Sequence, residues 1–84
     1  MPELLQIEQV QGLLTIDARQ AIRTGHHPRG EILSLVREAP TGTVCEIHVP
    51  HRTAPLIAEL EGLGLHVAVS ELEPGHFRLR ALKL

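Results

Sequence analysis

The sequence predicts an α/β domain of the α+β two-layer kind, in the order β-α-β-α-β-β, with a mixed four-stranded sheet covered on one face by two helices. Three observations lead there. Apolar residues recur at every second position in four short segments and at helical spacing in two segments between them. The helical segments separate the first three strands, which makes those strands parallel, whereas a tight turn joins the last two and makes them antiparallel. Finally, 84 residues with 43% hydrophobic and 21% charged side chains suffice for one small globular domain spanning residues 1–84.

The elements follow in chain order. Residues 1–11 form an N-terminal extension in which Leu4, Leu5, Ile7 and Val10 fit a short helix and an irregular strand equally well. From Gly12 to Ala18 the pattern is that of a strand, with Leu14, Ile16 and Ala18 inward and Thr15 and Asp17 outward. Arg19 to His27 reads as a loop. A helix then runs from Pro28 to about Ala39, because Ile32, Leu35, Val36 and Ala39 make one stripe. Proline suits its first position, where a missing N–H has no intrahelical partner to lose. Pro40-Thr41-Gly42 ends it.

Thr43 to Val49 is the clearest strand, with Cys45, Ile47 and Val49 on the inner face and Val44, Glu46 and His48 on the outer one. Pro50 to Ala54 leads into a helix from about Pro55 to Leu63, whose stripe is Leu56, Ile57, Leu60 and Leu63. Thr53 is the preferred cap, because its hydroxyl can accept from a free backbone N–H. Leu65 to Glu71 alternates again, Glu73-Pro74-Gly75 turns, and His76 to Lys83 closes the sheet with Phe77, Leu79 and Ala81 inward. On the outer face Glu46, His48, His66, Arg78 and Arg80 are set to form cross-strand ion pairs.

Composition excludes several functions. Phe77 is the only Phe, Tyr or Trp, so stacking platforms for single-stranded nucleic acid are missing, and a formal charge of −2 gives no field for phosphate backbones. No nucleic-acid or membrane partner is expected. There is no apolar run near the ~20 residues of a membrane span, and no signal segment opens the chain, so a cytoplasmic protein is expected. Cys45 stands alone and rules out an intrachain disulfide.

Chemistry concentrates at one end. Loops leaving the carboxyl ends of three parallel strands emerge together, and that side of an open α/β sheet is where ligands bind. These loops bring Asp17, Arg23, His26, His27 and Pro28 from the first crossing, His51 and Arg52 from the second, and His76 from the last turn. Neutral imidazole has the lone pair that a metal requires, so His26, His27, His51 and His76 are candidate ligands for zinc or copper. The same rim, with two helix starts beside Arg23 and Arg52, suits a small anion. An enzyme is the weakest reading, since no nucleophile or acid partner accompanies the histidines beyond Asp17, and no catalytic residue is assigned.

Ile16-Asp17-Ala18-Arg19, followed by a loop, a proline-started helix and the Pro40-Thr41-Gly42 turn into a strand, resembles the TusA and SirA sulfur-carrier family. The resemblance is stronger to uncharacterised bacterial relatives that carry His-Pro where the carriers have Cys-Pro, and it spans roughly Leu14 to Leu82. It implies a two-layer sandwich with strand order one, two, four, three and the fourth strand antiparallel to the rest. It also places the carriers' working cysteine at or beside His27 and implies a partner-docking role, and the outer sheet face of Glu46, His48, His66, Arg78 and Arg80 could pair with an identical face in a homodimer or with another protein. An imidazole cannot become a persulfide, and Cys45 lies inside a strand. A non-catalytic binding or docking module is therefore the first expectation, with a sulfur-carrier relative lacking the motif cysteine as the alternative.

Overall fold

Alternate burial runs through the central strands, as a sheet with one covered face requires. The computed structural model describes residues 5–83. Its elements are β1 (Gln6–Val10), β2 (Leu13–Asp17), α1 (Arg19–Arg23), α2 (Arg29–Glu38), β3 (Val44–Val49), α3 (Ala54–Gly62), β4 (His66–Glu73) and β5 (His76–Leu82). The sheet order is β1-β2-β3-β5-β4, with β2 and β3 parallel and every other neighbouring pair antiparallel. The class is α+β. No helix among the described residues is long and apolar enough to cross a membrane.

The expected four strands and two helices are corrected to five and three. The added strand is β1, which comes from the ambiguous N-terminal stretch and forms a hairpin with β2 through Gln11 and Gly12. Gly12 has φ 82, a left-handed conformation that only glycine adopts without strain. Leu4, weighed with that stretch, lies outside the described residues. The added helix is α1, a single short turn inside the segment expected to be loop. Asp17 explains its start, because its carboxylate accepts the backbone N–H of Arg19 at 3.1 Å.

Inward residues of β2, β3 and β5 (Leu14, Ile16, Cys45, Ile47, Val49, Leu79, Ala81) join Ile32, Val36, Leu56 and Leu60 of the helices in one aliphatic core. Both longer helices therefore cover the same face. Two stripe positions shift: Leu33 is buried while Leu35 is only partly so, and Leu63, the C-cap of α3, is 37% exposed. Pro28 is the N-cap of α2, one residue before its expected place. Thr53 does cap α3 by position, but its side chain makes no capping hydrogen bond.

The uncovered face has its own order. One row across the strands reads Gln6, Asp17, His48, Arg78, Ser70, and the next reads Glu8, Thr15, Glu46, Arg80, Ala68. Glu46 lies 3.9 and 3.8 Å from Arg78 and Arg80, the cross-strand ion pairs expected there. Pro74 and Gly75, the latter at φ 80, close the β4–β5 turn.

Candidate functional site

A cleft of about 610 Å³ opens where the loop before α2 faces the loop before α3. His26, His27 and Pro28 line one side, and His51, Arg52 and Thr53 the other. Its apolar floor is Ile22, Ile32 and Leu56. The local cause is topological: β2 and β3 run parallel, so the segments after them emerge at the same end, and each leads into a helix N-terminus. Neither helix has a side-chain cap, so first-turn N–H groups at both starts are left for other acceptors.

Charge in the cleft is one-sided. Arg29 and Arg52 line it with the three histidines, and no Asp or Glu among the described residues does. Arg29 Nε is 3.5 Å from Glu59 of α3, an exposed pair that neutralises part of its charge. Thr53 Oγ1 is buried without a hydrogen-bond partner among the described residues. The Thr24 hydroxyl lies 2.9 and 3.1 Å from the Gln20 and Ala21 carbonyls and 3.1 Å from His26 Nδ1, which links His26 to the end of α1.

The structure thus brings His26, His27, Pro28, His51 and Arg52 together and leaves three rim residues elsewhere. Arg23 Nη2 donates to the Gly75 carbonyl at 3.2 Å, tying α1 to the β4–β5 turn. Asp17 accepts from Arg19 Nε and Nη2 at 3.0 and 2.8 Å, which holds its carboxyl below the usual range against the opposing effect of burial. His76 lies on the uncovered sheet face, where its Nε2 is 2.8 Å from His48 Nδ1. Among the described residues no three His, Cys, Asp or Glu side chains are placed to hold a metal ion together. His26, His27, His51 and His76 do not form one ligand set.

The His48–His76 pair was missed as a unit. It borders a shallow hollow of about 320 Å³ with Asp17, Arg19, Thr15 and Glu8. A signal existed in the alternation: Phe77 inward puts His76 on the outer face with Arg78, and His48 already lies there. Burial, then the nearby His76, lowers the His48 pKa, while Asp17 and Glu46 oppose the shift. Cys45 is fully buried, and desolvation pushes its thiol up. No protein-family model, no curated protein and no solved structure matches this chain.

Proposed function

We propose that this chain is a non-catalytic binding module whose cleft between the starts of α2 and α3 takes a small organic anion. The observation that carries the reading is charge composition: three imidazoles and two arginines line the cleft, and no carboxylate among the described residues does, in a chain of net charge −2. Arg52 and uncapped N–H groups of both helices supply donors for a carboxylate or phosphate. Ile22, Ile32 and Leu56 favour a ligand with an apolar body. The cleft lacks a nucleophile held by a base, which favours binding over catalysis.

Kinship with the TusA and SirA carriers, in their branch with histidine in place of cysteine, is part of this proposal. The parallel β2–β3 pair and the adjacency of β2, β3, β5 and β4 support it, as does the position of His27 in the cleft. Sulfur carriage is the weaker reading, because Cys45 is sealed in the core.

The test is a titration of the ¹⁵N-labelled chain with phenyl phosphate, followed by amide NMR. Gly30, Glu31, Ala54 and Leu56 are expected to shift together, and Arg52→Ser to weaken binding by about tenfold or more, the worth of one charge-assisted hydrogen bond. Shifts scattered over the surface, or unchanged affinity in Arg52→Ser, would overturn the reading.

A further inference from the structure

The two edges of the sheet are built differently. β4 carries Glu71 and Glu73 with a register break between them, and acidic side chains and bulges both discourage a further strand. β1 has neither a bulge nor proline, and its pairing with β2 runs without a break from Gln6 to Val10. All five of its residues are exposed, with Ile7 at 48% and Val10 at 52%. Among the described residues its outer edge has no neighbouring strand, so its backbone donors and acceptors there are the usual template for strand addition.

We infer that β1 is a homodimer edge, pairing antiparallel with β1 of a second copy across a two-fold axis normal to the sheet. That symmetry keeps the helices of both copies on one side and pairs one residue of β1 with itself. Centred on Glu8, it sets two carboxylates opposite each other, which repel. Centred on Ile7, it sets Ile7 against Ile7 on the helix side, and each Gln6 against Glu8 of the second copy on the open side. There the Gln6 amide can donate to the Glu8 carboxylate, twice by symmetry. The strand is complementary to itself in that register, which identifies the occupant as another copy of this chain. Stable interfaces bury about 1,200–2,000 Å². A pair of five-residue strands covers less, so the dimer is a weak, concentration-dependent one.

Sedimentation velocity of the full chain over a concentration series tests this. The mass is expected to rise from 9.3 kDa toward twice that value. Ile7→Lys and Ile7→Glu, each at an exposed position that folding tolerates, are expected to stay monomeric alone and to form a heterodimer when mixed, because opposite charges then meet at the axis. A monomer at every concentration overturns the inference. So does a dimer that persists in Ile7→Lys but is lost in Arg80→Glu, which would move the interface to the open face.

Discussion

His48 Nδ1 and His76 Nε2 meet 2.8 Å apart across the antiparallel pair β3–β5, with ring centroids 5.0 Å apart. One nitrogen must donate and the other accept, so a proton added to the acceptor destroys the bond. Asp17, Glu46 and Arg19 act on His48, and Glu73 lies 3.8 Å from His76. The folded pKa of His48 is below its ordinary 6.5, chiefly through burial. Between those two values the unfolded chain binds more protons than the folded one, so the contribution of His48 to stability is present above about 6.5 and is lost as pH falls through the lower, folded value.

The corresponding measurement is urea unfolding at about pH 8 and about pH 5, on either side of the ordinary histidine value. Wild type is expected to lose stability at the acid end, and His48→Gln to lose distinctly less. Asp17 does not confuse the comparison, since its carboxyl is held below 3.8 and titrates at lower pH. Equal losses in the two proteins would show that the imidazole pair is not the source.

Lys83 clasps α2 from the far end of the chain. Its ammonium donates to the carbonyls of Val36 at 2.9 Å and Ala39 at 2.6 Å, and also to that of Arg37. A cation there satisfies orphan carbonyls and complements the negative end of the helix dipole. Lys83→Met keeps the apolar stem and removes the donors, and a loss of about 1–2 kcal/mol is expected. A lowered urea midpoint with an unchanged slope would record it. No change in midpoint would mean that water serves those carbonyls equally well.

Cys45 provides a check on sulfur chemistry. With no exposure and a thiol pushed up by desolvation, it is expected to resist iodoacetamide in the folded protein and to react only through unfolding. Labelling followed by mass spectrometry across a urea series should track the unfolding curve. Rapid modification without urea would reopen the carrier reading.

Where one face is buried, periodicity is readable, and so β2, β3, β5 and the two longer helices follow from the spacing of their aliphatic residues. β1 escaped because both of its faces are exposed: Ile7 and Val10 point to opposite sides, and no alternation survives. α1 is too short for a helical period to show, and it depends on Asp17 accepting its first N–H.

By itself the sequence determined which end of the domain carries the chemistry, since loops after parallel strands must emerge together. It placed His26, His27, His51 and Arg52 there, and the cleft assembles all four. Only the tertiary structure decided on which side of the sheet each remaining group lies. His76 shares that end, yet the parity of β5 turns it outward to His48, while Arg23 and Asp17 are taken up by Gly75 and Arg19. Strand order brings loops to one end of a sheet, but strand register and side-chain pairing choose the face, and those depend on contacts between residues far apart in the chain.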